Sequence, residues 1–143
     1  MIPELMSKEI EFGQIPFHLL SEEIPPPKDL LQGIAASPGI VEGVCVVLSK
    51  FEDMQEIKEG LILIAETAGP KLSPIIPKIK GLLTEKGGLL AMASRAAREY
   101  AVPAVVGIEG LRQRLHTGDR VLVDGLEGKV YLLVPASEEL GRQ

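Results

Sequence analysis

Short apolar runs rich in Val, Ile and Leu recur along the chain from residue 31 onward, and Gly or Pro separates most of them. Apolar runs of about four to eight residues between turn-forming residues are typical of β-strands. The pattern therefore predicts strands at residues 33–36, 41–48, 61–65, 81–83, 104–106, 120–124 and 129–133.

Helical segments are predicted between several of these strands, at residues 52–58, 72–79, 89–100 and 109–115. Gly60 and Gly118 follow two of these segments, and Pro70 precedes another, as is typical of helix ends and helix starts. Strands that alternate with helices indicate an α/β domain with some parallel pairing. The last two strands differ, because the sequence Asp-Gly-Leu-Glu-Gly at residues 124–128 indicates a tight hairpin.

The first 30 residues have a different composition and are predicted to form an arm and a linker. Ile2, Leu5, Met6 and Ile10 recur at near-helical spacing, and the arm ends in three consecutive prolines at residues 25–27. Proline disfavours helix and stiffens the chain. We therefore divide the chain into an arm and Pro-rich linker at 1–30, a folded domain at 31–135 and a tail at 136–143.

Composition narrows the range of functions. A chain of 143 residues, 45% of them hydrophobic, is expected to form one core and one domain. The net charge of −5, the scarcity of aromatic residues and the scattered Lys and Arg disfavour nucleic-acid binding. No apolar run approaches the roughly 18 residues of a membrane span, and the charged start does not resemble a signal peptide. The single cysteine, Cys45, is predicted to be buried, which fits a reducing cytoplasm.

Gly87 and Gly88 precede the predicted Ala-rich helix and are the strongest candidate for a binding site. Glycines permit positive φ and close backbone approach, and a helix start presents unpaired N–H groups that attract anions. A simple turn is the commoner use of such a pair. The chain has no Walker motif and no dinucleotide fingerprint, so direct ATP or NAD binding is unsupported, and we expect neither a cofactor nor a metal.

The order of residues around this turn resembles the phosphohistidine, or mobile swivelling, domain of the PEP-utilising phosphotransferases, such as phosphoenolpyruvate synthase and pyruvate phosphate dikinase. The family segment has the form Thr-Glu-x-Gly-Gly-x-Thr-Ser-His-Ala-Ala, continued by Arg-Glu and Pro-Ala-Val-Val-Gly. The resemblance covers about three quarters of the chain and implies a swivelling β/β/α fold. The matching residues of the main segment are Thr84, Glu85, Gly87, Gly88, Ala93, Ala97, Arg98, Glu99, Pro103, Ala104, Val105, Val106 and Gly107.

Further matches lie on both sides of this segment. Ser37-Pro38-Gly39 with Gly43 is similar to the family's opening, and residues 60–64 are similar to a family strand. Thr67, Pro70 and Pro74 resemble the family's Thr-x-Pro-x-x-x-Pro segment, and Gly118-Asp119, Val123-Asp124-Gly125 and Gly128 resemble its end.

The departure from the family is concentrated in three residues. Leu90, Ala91 and Met92 stand where the family has Thr, Ser and the phosphorylated His. A thioether has no nitrogen lone pair to accept a phosphoryl group, so the resemblance leaves no catalytic residue, and Met92 is expected to fill an apolar gap. The resemblance suggests binding roles for Thr84, Glu85, Gly87, Gly88 and Arg98. Residues such as Thr84 and Glu85 more commonly stabilise a turn, and a residue such as Arg98 more commonly has a structural role.

The two histidines are poor substitutes for the missing carrier. His18 lies in the arm, where we expect a packing or surface role, and His116 precedes a turn, where we expect a solvated loop residue. Asp119 and Asp124 are interpreted as turn residues rather than as a catalytic pair.

Three functions remain open at this stage. The first is a histidine-less docking or regulatory module that binds separate ATP-grasp nucleotide-binding and PEP-binding or pyruvate-binding subunits. The second is a phosphotransferase subunit of a split enzyme, with His116 or a partner's residue as the carrier. The third is a small-anion binder at Gly87 and Gly88, which the apolar Leu90 and Met92 disfavour.

Overall fold

Eight strands, one 3₁₀ helix and two short α-helices make up the part of the chain that the computed structural model describes, residues 30–49 and 57–136. The predicted arm with His18, the tail beyond residue 136 and nearly all of the helix predicted at 52–58 lie outside these residues. The strands are β1 (Leu30–Gln32), β2 (Ile34–Ser37), β3 (Ile40–Val47), β4 (Ile62–Thr67), β5 (Gly81–Lys86), β6 (Ala104–Val106), β7 (Arg120–Asp124) and β8 (Lys129–Val134). The helices are the 3₁₀ helix (Pro70–Lys78), α1 (Met92–Glu99) and α2 (Leu111–Arg114).

The strands form one sheet in the order β1-β8-β7-β3-β4-β5-β6-β2. β3, β4, β5 and β6 pair in parallel, and the other neighbours pair antiparallel, which confirms the predicted α/β class with parallel pairing. β1 and β2 lie at opposite ends of this order, yet Gly33 alone separates them in the chain. The sheet must therefore fold over until its two ends meet, and this produces two stacked β-layers.

β3 joins the two layers because its two halves have different partners. Residues 40–44 pair with β7, whereas Cys45, Val46 and Val47 pair with Ile62, Leu63 and Ile64 of β4. One strand thus passes from the antiparallel layer into the parallel layer.

Strand β4 is buried on both faces, which explains its unbroken apolar sequence. Ile62 and Ile64 point into a core between the two β-layers, together with Val121 and Val123 of β7. Leu63 and Ala65 point into a second core that the 3₁₀ helix and α1 cover. Successive side chains of a strand alternate between faces, so one apolar run serves two cores. The architecture is therefore β/β/α, as the resemblance implies.

The second predicted helix has a different form. The sequence predicts a helix at 72–79, and the structure has a 3₁₀ helix over Pro70–Lys78 with Pro74 and Pro77 inside it. Proline has no N–H and its ring clashes with the carbonyl four residues earlier, so an α-helix is not accessible here. Threefold periodicity still buries Leu72 and Ile75 on one side.

The other predicted elements shift at their ends. All seven predicted strands are present, and β1 was not predicted because its three residues are too short for a pattern. The predicted helix at 89–100 begins only at Met92, since residues 89–91 form a turn, and the helix at 109–115 shortens to Leu111–Arg114.

The predicted hairpin between β7 and β8 is confirmed, and it packs against the bend between β2 and β3. The Asp124 carboxylate accepts hydrogen bonds from the N–H groups of Leu126 and Glu127, both at 3.0 Å. The Gly125 N–H donates to the Gly39 carbonyl at 2.7 Å. A Cβ atom on residue 125 would lie 2.0 Å from the Ser37 carbonyl oxygen, so this contact requires glycine. The two distant segments that resemble the family's opening and ending thus meet in space.

Cys45 is buried in the core between the β-layers, as predicted. Burial, with a smaller contribution from the nearby Asp119 carboxylate, raises the pKa of the Cys45 thiol to about 12. Asp119 is itself a turn residue, because its carboxylate accepts from the N–H groups of His116 and Ala136, both at 2.8 Å.

Cytoplasmic location stays a prediction. Within residues 30–49 and 57–136, no helix is long and apolar enough to cross a membrane.

Gly125→Ala is expected to destabilise the fold, because the added methyl group would overlap the Ser37 carbonyl. Overpacking of this kind costs roughly 1–3 kcal/mol or more in the free energy of unfolding. Gly88→Ala is the matched control, since a Cβ atom there meets no atom within 4 Å. Urea unfolding of both variants measures the difference, and equal midpoints would contradict the assigned contact.

Native Cys45 is expected to react with a thiol reagent about a thousandfold or more slowly than an ordinary thiol at pH 8, because a pKa of about 12 leaves almost no thiolate. Ser49→Cys supplies the control, as residue 49 is exposed at the end of the same segment. Absorbance assays of the native and urea-unfolded protein measure both rates. Rapid labelling of Cys45 in the native state would show that the thiol is accessible.

Candidate functional site

The glycine turn connects the carboxyl end of β5 to helix α1. Gly87 has a φ of 119°, and a Cβ atom on it would lie 2.9 Å from the Cβ of Ala68. Glycine therefore lets the turn pass closely over the loop that follows β4. The carboxyl ends of parallel strands are the edge at which α/β domains ordinarily place their functional residues.

Leu90, Ala91 and Met92 lie at the start of α1. The side chain of Leu90 is 84% exposed and that of Met92 is 50% exposed, whereas Ala91 packs partly against the core. The expectation that Met92 fills an apolar gap was therefore wrong. Small residues, Ala93 and Ala97, occupy the buried face of α1, and Met92 lies on the outer face with Arg95 and Glu99, which follow at helical spacing.

Fewer hydrogen-bond donors are free to bind an anion at the start of α1 than its sequence suggests. Ala91 provides no side-chain cap, and the Ala93 N–H donates to the Ala68 carbonyl at 3.0 Å. The Ser94 hydroxyl turns back to the Gly88 carbonyl at 2.8 Å. Since Leu90 and Met92 supply the exposed side chains beside these groups, the surroundings give an anion little solvation.

Thr84 and Glu85 are both engaged within the fold. Thr84 is fully buried, and its hydroxyl donates to the Lys86 carbonyl at 2.8 Å. The Glu85 carboxylate accepts from the Arg112 backbone N–H at 2.8 Å and from its guanidinium at 3.0 Å. The Arg112 side chain, followed by its backbone N–H, holds the pKa of the Glu85 carboxyl below its ordinary value. These contacts fasten α2 to the end of β5.

The sequence analysis did not identify Arg112. Its guanidinium also lies 4.0 Å from the Glu66 carboxylate. The Glu66 carboxylate is in turn 3.4 Å from the Lys86 amine. The four charged side chains join the ends of β4 and β5 to α2. No sequence signal linked Arg112 to Glu85, because 27 residues separate them.

Arg98 connects three segments around the turn. One guanidinium nitrogen donates to the Ala36 carbonyl of β2, and the other donates to the Leu89 carbonyl, both at 2.8 Å. These bonds favour the structural role and hold Leu89 in position before the helix.

Two open grooves meet at Arg98. The helix groove, of about 830 Å³, lies between the 3₁₀ helix and α1 and is lined by Ser73, Pro74, Met92, Arg95, Glu99 and Tyr100. The hairpin groove, of about 530 Å³, is lined by Ala35, Pro38, Leu89, Gly125 and Leu126. Both are lined by Arg98 as well. The side chains of Leu89, Tyr100 and Leu126 are 49%, 54% and 62% exposed, so apolar groups face solvent in both grooves.

Sequence reasoning did not identify these grooves. The one signal was Leu89-Leu90, an apolar pair in a turn where polar residues are usual. Pro74 and Leu126 come from segments that only the fold brings near the turn.

His116 lies in the loop after α2, which is joined to β3 by the hydrogen bond from the Gly118 N–H to the Cys45 carbonyl, at 2.9 Å. Its side chain is 69% exposed, and its Nδ1 is 3.9 Å from the Asp119 carboxylate. The solvated loop position agrees with the sequence interpretation. Among residues 30–49 and 57–136, no group of three or more His, Cys, Asp or Glu side chains is placed to hold a metal ion.

Comparison with known proteins gives a consistent result. The sequence model of the PEP-utilising enzyme mobile domain matches residues 57–128. The probable phosphoenolpyruvate synthase of Pyrococcus horikoshii is 36% identical over 110 residues, which is 77% of this chain and 13% of that protein. The rifampicin phosphotransferase of Bacillus cereus is 38% identical over 107 residues, which is 75% of this chain and 12% of that protein.

A solved structure of Enzyme I is similar in fold, with a TM-score of 0.51 and 26% identity over 64% of this chain and 41% of that one. The chain spans only 12–13% of the length of the phosphoenolpyruvate synthase and the rifampicin phosphotransferase. The matched residues include the glycine turn, helix α1 and strand β7. This chain belongs to the family of the PEP-utilising enzyme mobile domain.

Proposed function

We propose that this chain is a docking or regulatory module of the PEP-utilising phosphotransferase family that no longer carries phosphate. The observation that carries the proposal is the exposure of Leu90, in the turn before α1, and of Met92, the first residue of α1, at 84% and 50%. The resemblance assigns the family's Thr and phosphorylated His to these two positions. The turn keeps an exposed location suited to a carrier, while its side chains have become apolar.

The lost chemistry follows from the side chains themselves. A phosphoryl carrier needs a nucleophilic lone pair that is available near neutral pH, and imidazole supplies one. The Met92 thioether does not form a stable phosphoryl adduct, and Leu90 and Ala91 replace the hydroxyls beside it. Three chemical functions are absent from one exposed turn.

The docking role is supported by the surface that remains. Exposed Leu, Met, Tyr and Arg side chains around two adjoining grooves have the composition of protein interfaces, where aromatic residues, Met and Arg are enriched. We propose that separate ATP-grasp nucleotide-binding and PEP-binding or pyruvate-binding subunits dock here, in the cytoplasm. Binding would return Leu90 and Met92 to an apolar environment.

A split phosphotransferase with another carrier is the second candidate. Its support is the exposed position of His116, whose Nδ1 lies 3.9 Å from the Asp119 carboxylate. His116 lies on a different loop from the glycine turn, so the partner subunits would have to approach another part of the surface. The two candidates make opposite predictions about phosphate on the chain.

Leu90→Glu is expected to weaken binding to the nucleotide-binding or PEP-binding domain of a family enzyme by about tenfold or more, because the proposed docking would bury the new charge. Leu133→Glu is the matched control, since Leu133 is an exposed apolar residue, at 44%, on β8. Titration calorimetry measures both affinities. Equal affinities for the two variants would place the interface elsewhere, and no binding by the unaltered chain would contradict the docking role.

Incubation with radiolabelled phosphoenolpyruvate and a family PEP-binding domain is expected to leave no acid-labile phosphate on this chain. Met92→His alone is also expected to stay unlabelled, because Leu90 and Ala91 lack the hydroxyls beside the family's histidine. An intact family enzyme serves as the positive control. Label that disappears in His116→Gln would establish the split phosphotransferase instead.

A further inference from the structure

The outer face of α1 carries two opposite charges that the domain leaves unpaired. Arg95 and Glu99 are exposed, and Met92 precedes them on the same face. Within residues 30–49 and 57–136, neither charged side chain has a hydrogen bond or an ion pair. They are also unpaired with each other, which agrees with the less favourable order of a basic residue four positions before an acidic one. Two free charges of opposite sign therefore lie one helical turn apart.

Arg98, the other basic residue of α1, is turned toward β2 instead of outward. Its guanidinium donates to the Ala36 and Leu89 carbonyls, both at 2.8 Å, and these bonds hold the side chain against the domain. The outer face of α1 therefore presents one free positive charge and one free negative charge. A partner surface with charges of a single sign would pair with only one of them, whereas a second copy of the same face supplies a partner for both.

Apolar side chains lie at the two ends of this face. Met92 at the start of α1 and Tyr100 after its last residue are each about half exposed, and both line the helix groove. Ala96 lies midway between them and is partly exposed. Because the distance between packed helices depends on the side chains at the contact, a small residue at this point lets another helix approach closely. A thioether beside an aromatic ring is also a favourable contact.

We propose that two copies of this chain associate through α1, with the two helices antiparallel about a two-fold axis at Ala96. Met92 then lies opposite Tyr100 of the second copy, because each is four residues from the axis. Arg95 is offset from Glu99 of the second copy by two residues, about 3 Å along the helix, which the Arg side chain can span. The symmetry repeats both contacts. This dimer does not rest on the proposed docking role, although it would cover the same helix groove.

Sedimentation equilibrium of the full-length chain tests the dimer through its two charges. The unaltered chain is expected to form dimers as its concentration rises to about 1 mM. Arg95→Glu and Glu99→Arg are each expected to weaken the dimer about tenfold or more, because each brings like charges together across the axis. The double variant Arg95→Glu/Glu99→Arg exchanges the two charges and should restore the dimer.

An equimolar mixture of the two single variants gives the sharpest comparison. One variant presents two negative charges on this face and the other presents two positive charges, so the mixture should form heterodimers while each variant alone is largely monomeric. Glu99→Arg also reduces the net charge from −5 to −3, which by itself would favour association by lowering the general repulsion. Glu109→Arg is the matched control, since it makes the same charge change at an exposed residue before α2. It should leave the dimer unchanged.

A chain that stays monomeric over the whole concentration range would overturn the proposal. A dimer that persists unchanged in both single variants would place the interface on another face and would also overturn it. The same conclusion would follow if the double variant did not restore the dimer, or if the mixture associated no more than its components.

Discussion

The burial of the parallel strands on both faces is the constraint on which the rest of the domain depends. Ile62 and Ile64 need the antiparallel layer on one side, and Leu63 and Ala65 need the helices on the other. Neither layer can be removed without exposing one half of the same strand. The double burial therefore holds the ends of β4 and β5 in place, and those ends carry the glycine turn and the charged side chains around Arg112.

Backbone contacts transmit this constraint to the candidate site. Gly87 passes closely over Ala68, and Ala68 accepts a hydrogen bond from the first turn of α1. Arg98 then fastens the helix to β2 and to Leu89. These contacts involve residues that match the family or backbone atoms that any residue supplies. The exposed side chains of Leu90 and Met92 take no part in these contacts, so the scaffold does not depend on them.

The exposed apolar side chains give the altered turn a physical character of its own. Single exposed apolar residues are ordinary on protein surfaces, but Leu89, Met92, Tyr100 and Leu126 lie around two grooves that meet at Arg98. Because exposure of apolar side chains to water is unfavourable, any contact that covers these side chains is favoured.

The sequence alone determined the alternation of strands and helices, the closing hairpin, the buried Cys45 and the absence of a nucleophile at residues 90–92, because each of these is written in local spacing or residue type. It predicted an α-helix where Pro74 and Pro77 allow only a 3₁₀ helix, and it predicted packing for Met92, which is half exposed. Tertiary structure decided those points, along with the pairing of Glu85 with Arg112 and the two grooves at Arg98. The reason is that burial and contact depend on which segments meet, and segments far apart in the chain meet only after the sheet has folded over on itself.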